Sequence, residues 1–112
     1  MIHTEFRVAP HSDRIVSVRF SGHAGQNEPG YDIVCAAASA LFIAVCNGLD
    51  EVANVSTDIR IKNGDSEVLV QTDDEIKEIK AQTLLQTLRL AMQQMQQEHP
   101  DYISVTITEE KK

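Results

Sequence analysis

The sequence predicts a two-layer α+β sandwich, a largely antiparallel five-stranded sheet carrying two helices in the order β-β-α-β-β-α-β. Three observations lead there. Five short segments alternate apolar and polar residues with period two, as strands half-buried in a sheet do. Two longer segments, one over Ile33 to Gly48 and one opening at Thr72, read as helices. Each helix follows a pair of strands, and one-faced strands covered by helices make two layers.

In the first strand, Ile2 to Val8, residues Ile2, Thr4, Phe6 and Val8 share one face, and His3, Glu5 and Arg7 the other. Ala9 to Asp13 is a turn by composition, and Ile15 to Phe20 returns as the second strand of a hairpin. Ser21 to Tyr31 holds three glycines and a proline and reads as a mobile loop. Asp32 is then the expected N-cap of a helix over Ile33 to Gly48, ended by Asn47-Gly48. This helix is apolar nearly all round, which predicts enclosure on more than one side.

Thr57 to Lys62 and Glu67 to Thr72 flank Asn63-Gly64, a hairpin turn signal. Thr72-Asp73-Asp74-Glu75 has capping-box spacing and opens the second helix. Its expected apolar stripe is Ile76, Ile79, Leu84, Leu88, Ala91, Met92 and Met95, and it stops before Pro100. Tyr102 to Thr108 closes the chain as a strand with Ile103, Val105 and Ile107 on one face.

A chain of 112 residues supports one domain with one core. Its formal charge of -7, from 17 acidic against 10 basic residues, repels phosphate backbones and steers basic peptides. Direct nucleic-acid binding is therefore not expected. The N-terminus alternates and carries an acid, unlike a signal peptide. The apolar run from Ile33 to Cys46, broken by Ser39, reads as too short for a bilayer, so no membrane is expected. Cys35 and Cys46 lie eleven residues apart on one predicted helix, roughly 16 Å along its axis and beyond disulfide reach. That spacing suits a reduced, cytoplasmic setting. Structural zinc needs four ligands at paired short spacings, which the chain lacks, and no metal or cofactor is expected.

The chemistry concentrates in Gly22-His23-Ala24-Gly25 and Asp32-Ile33-Val34-Cys35-Ala36-Ala37. Cys35 is expected in the first turn of its helix, where free N–H groups favour a thiolate and could receive an oxyanion. His23, across a loop able to fold back, is the candidate general base. Asp32 serves as helix cap and could also hold the imidazole in its productive tautomer. Ser39, one turn beyond Cys35, either hydrogen-bonds near the site or packs as a small residue. Phe20 and Tyr31 stand at the loop margins. Most cysteines are merely packed, and Cys46 takes that reading. His3, His11 and His99 read as surface residues. A redox-sensor role for Cys35 would need a partner thiol, and Cys46 is badly placed for it.

Ser21-Gly22-His23-Ala24-Gly25, followed by Asp32-Ile33-Val34-Cys35-Ala36-Ala37-Ala38-Ser39-Ala40-Leu41, closely resembles the ribosomal-processing cysteine proteases called Prp. The resemblance implies that Cys35 is the nucleophile, His23 its base, and Asp32 and Ser39 supporting residues. It also implies a glycine-rich substrate loop that includes Gly22, Gly25, Gly30 and Tyr31. The implied protein is a cytoplasmic homodimer. Its implied substrate is a basic ribosomal protein precursor, the L-twenty-seven homologue of the large subunit, cut after an aromatic residue to remove an N-terminal extension, and Phe20 or Tyr31 would line a pocket for that aromatic side chain. The alternative is a non-catalytic ribosome-assembly factor that binds the same basic tail and uses Cys35 only structurally.

Overall fold

The computed structural model describes residues 1–22, 29–62 and 65–111, and for residue 29 the backbone alone. Strands β1 (Ile2–Val8), β2 (Ile15–Ser21), β3 (Ser56–Lys62), β4 (Asp65–Gln71) and β5 (Ile103–Glu109) form one sheet in the order β3-β4-β2-β1-β5. Helices α1 (Pro29–Glu51) and α2 (Glu75–Glu98) complete it. All neighbouring strands run antiparallel except β1 and β5, which are parallel. The Asn63-Gly64 turn lies outside the described residues, but the strands it joins pair from Lys62↔Asp65 onward.

Register explains the two layers. Phe6 faces Val18, Val18 faces Val68, and Ile2 faces Ile103, so the apolar positions of four strands share one side. These residues pack with Leu49 of α1 and Leu85, Leu88 and Met92 of α2 in one core. The other side of the sheet is largely polar, where His3 hydrogen-bonds Ser104 at 2.8 Å. Thr4 stands on the core side of β1, 1% exposed, and its hydroxyl has no partner among the described residues. An unpaired buried hydroxyl costs desolvation that a methyl does not. Thr4→Val is therefore expected to raise stability by about 1 kcal/mol, measured as a higher midpoint in urea.

Several expectations are corrected. The segment read as loop up to Tyr31 is already helix from Pro29, a residue suited to a first turn because its missing N–H has no partner there. Asp32 is thus inside α1 and not its N-cap. Gly48 does not end the helix. A Cβ there would come 3.1 Å from Leu84 Cδ1, so the glycine marks where α1 and α2 press together. The chain leaves α1 at Asn54, in the left-handed region at φ 55, with Val55 N–H donating to the Leu49 carbonyl at 3.0 Å.

Helix α2 is capped by Asp74, whose carboxylate accepts from Lys77 N–H at 3.0 Å. Thr72, the expected cap, lies two residues outside and accepts from Asp74 N–H at 3.1 Å. Ile76 and Ile79 are 67% and 62% exposed, and Ala81, Leu85, Leu88 and Met92 form the buried row. The Gln82 amide bonds both backbone groups of Ile15, at 2.9 and 2.8 Å, and this fixes the rotation of α2 about its axis. That rotation leaves Ile76 and Ile79 in solvent.

Among the described residues, helix α1 is not enclosed on several sides. Tyr31, Val34, Ala38, Phe42 and Leu49 are buried, whereas Ile33, Ala36, Ala37, Ala40, Leu41 and Ala44 face outward. At 23 residues α1 is also longer than the apolar run alone suggested, about 34 Å at the standard rise. By length and composition it would cross a bilayer, but its buried stripe packs on the sheet and α2, as a core helix does.

Candidate active site

Steps of three and four residues keep Asp32, Cys35, Ser39, Phe42 and Cys46 along one flank of α1. Beyond Cys35 this flank borders an open apolar groove of about 330 Å³. Ser39, Phe42, Ile43 and Cys46 line it from the helix, and Phe20, Ile59, Ile61 and Ser66 from the sheet. Cys35 and Ser39 are half-buried and Asp32 is exposed. Neither cysteine is in a disulfide, and burial pushes the Cys46 thiol above its ordinary range. Among the described residues, no three His, Cys, Asp or Glu side chains gather to hold a metal.

Because α1 begins at Pro29, Cys35 is its seventh residue and sits in the second turn. Its N–H there belongs to the i→i−4 ladder. The expectation that this N–H receives an oxyanion is corrected, and the helix-end field at the thiol is weaker than a first-turn position would feel.

A tether holds the end of β2 against this turn. The Tyr31 hydroxyl donates to the Gly22 carbonyl, and Tyr31 is one helical turn before Cys35. The Tyr31 ring is buried and meets Tyr102 edge-on, centroids 6.2 Å apart at 79°. Burial first, then the charges of Cys35 and Asp32, hold its phenol above the ordinary range. Gly22 adopts φ 85, and a Cβ there would land on the carbonyl oxygen of Met1. Gly30, in the first turn, places its Cα where a Cβ would be 2.9 Å from the Tyr102 hydroxyl.

Of the sequence-predicted site residues, Asp32, Cys35 and Ser39 thus share a flank, and Gly22 is tied to it through Tyr31. His23 and Gly25 lie outside the described residues. Gly30 and Tyr31 are helical rather than loop residues. Tyr31 is buried in the core, and Phe20 lines the groove, stacked on Phe42 with centroids 5.5 Å apart. His3, His11 and His99 are exposed. The sequence reading missed Ile43, Ile59 and Ile61 as groove walls. The alternation of Ile59 and Ile61 was visible, but only the strand order places them at a sheet edge beside α1.

A thiol on the flank of a core helix, one turn beyond the tyrosine that holds Gly22, the first residue of Gly-His-Ala-Gly, suits a cysteine hydrolase. The chain belongs to the cysteine protease Prp family, whose model matches residues 1–104. The ribosomal processing cysteine protease Prp of Staphylococcus aureus (strain Mu50) is 29% identical over 90 residues, spanning 80% of this chain and 84% of that protein. A crystal structure of a Streptococcus mutans protein superposes with a TM-score of 0.82 at 27% identity, covering 98% of this chain and 96% of that one. The essential ribosomal processing protease Prp of S. aureus, crystallised with a substrate peptide, gives 0.83 at 25% identity, covering 96% of this chain and 100% of that one. This chain is therefore a cysteine protease of the ribosomal-processing family.

Proposed function

We propose that the chain is a cytoplasmic endopeptidase that removes the N-terminal extension of the L-twenty-seven homologue, cutting after an aromatic residue with a Cys35–His23 dyad. The observation that carries this reading is the tether from Tyr31 to Gly22. It brings Gly22, the residue preceding His23 in sequence, to the helical turn before Cys35, and this supports the pairing.

In the proposed reaction His23 accepts the Cys35 proton, and the thiolate attacks the scissile carbonyl. The tetrahedral intermediate collapses, the C–N bond breaks, and the amine leaves with the proton from His23. Water, deprotonated by His23, then hydrolyses the thioester and releases the carboxylate and Cys35. Asp32 orients His23, and Ser39 supports the same flank. The charge of -7 suits a basic precursor. The relatives named as ribosomal processing proteases support the substrate class.

The homodimer belongs to this proposal. Ile33, 71% exposed, and Leu41 stand with Ala36, Ala37 and Ala40 on the outward face of α1, an apolar surface that a second copy would cover. Leu41→Asp is expected to shift the mass measured by light scattering from two chains to one. A wild-type monomer at micromolar concentration would refute the dimer. The protease reading is tested by mass spectrometry of the ribosomal precursor incubated with the protein. A shortened N-terminus supports it, and an intact precursor retained on a pull-down overturns it in favour of a binding factor.

A further inference from the structure

The groove between α1 and β3 has no part in the reaction described above. Resting on the reading of Cys35 as nucleophile, we propose that it is a remote substrate subsite. It takes an apolar side chain two to five residues from the cleaved bond.

Position argues for this first. Ser39 is four residues and Cys46 eleven residues beyond Cys35, so the groove spans from roughly 6 to 16 Å along the helix axis from the nucleophile. An extended peptide advances about 3.3 Å per residue, so that stretch faces side chains about two to five residues from the scissile carbonyl. The residue at the cut itself falls short of it. Continuity argues second. Asp32, Cys35 and Ser39 lie on the flank of α1 that runs into the groove, so a peptide leaving Cys35 along this helix passes over its mouth.

Chemistry argues third. Phe20, Phe42, Ile43, Ile59 and Ile61 supply the walls, and the polar atoms are those of Ser39, Ser66 and the Cys46 thiol. A charged side chain would lose its water there without gaining a counter-charge, whereas an apolar one is favoured. The rims are ready for an occupant. Ile43 on the helix and Ile59 and Ile61 on the sheet are 57%, 49% and 75% exposed. Strand β3 is at the sheet edge, and among the described residues no further strand lies beside the two isoleucines.

The test pairs the protein with peptides spanning the precursor cut. Ile61→Asp is compared with wild type and with Ile76→Asp, a change at a comparably exposed isoleucine on α2. The expected result is a loss in kcat/KM of about tenfold or more for Ile61→Asp alone, mostly through KM. Lysine at one substrate position within two to five residues of the cut should recover part of the loss. A second readout needs no turnover. In Cys35→Ala, saturating peptide should slow alkylation of Cys46 by N-ethylmaleimide about tenfold, because the peptide covers the groove that Cys46 lines.

Equal kinetics for Ile61→Asp and wild type, or an unchanged Cys46 rate under bound peptide, would overturn the subsite. A change from dimer to monomer on Ile61→Asp would overturn it in favour of a second copy as the occupant. If wild type cleaves no peptide, the nucleophile reading fails instead, and the Cys46 protection still decides whether peptide enters the groove.

Discussion

Cys35→Ala is expected to abolish precursor cleavage, lowering kcat by about 10⁴-fold or more, while the protein keeps its fold. Removal of the nucleophile from a unit that acts together eliminates nearly all the benefit of its partners. The fold should survive because Cys35 is only half-buried in α1, and alanine is the best helix former. The thermal midpoint should therefore move by no more than a few degrees. Mass spectrometry of the precursor, with a melting curve on the same sample, separates the two effects. Cleavage by Cys35→Ala at the wild-type rate would remove Cys35 from the mechanism altogether.

Gly22→Ala is expected to be nearly as damaging to activity by a different route, and to cost stability as well. At φ 85 an L side chain is strained by roughly 1–2 kcal/mol, and the added methyl would occupy the place of the Met1 carbonyl oxygen. The chain has to move there, because the obstacle is backbone rather than the end of a flexible side chain. Moving Gly22 breaks the Tyr31 tether and carries Gly22 away from α1. A loss of about 3 kcal/mol in unfolding free energy is expected. Activity should fall about a hundredfold even at temperatures where the variant is fully folded, since small misplacements of catalytic groups are costly. Tyr31→Phe provides the comparison. It keeps the buried ring but removes the hydroxyl, so it should reduce kcat with a smaller loss of stability. Full activity in both variants would show that the tether does not position the base.

Much of the architecture was legible because it rests on local pattern. Period-two alternation located β1 and β2 to within a residue, since a half-buried strand has to present one apolar face. The spacing of Asp32, Cys35 and Ser39 placed them on one helical face wherever the helix began. Boundaries were less legible, because capping signals compete. Asp32 and Asp74 are both good caps by composition. Only Asp74 caps a helix, since Tyr31 and Gly30 gain more by continuing α1 under Tyr102 than by forming loop. Gly48 carried the pattern of a helix stop, but its lack of a side chain serves contact with Leu84.

The sequence by itself determined the order of elements and the family. These depend on periodicity and on motifs whose members lie close along the chain. Tertiary structure alone decided the strand order, the parallel pairing of β1 with β5 and the rotation of α2 by Gln82. It also decided that Ile59 and Ile61 face a groove instead of a core. Each of these depends on which distant segments meet, and a residue's own pattern of neighbours in sequence carries no record of the partner across the sheet.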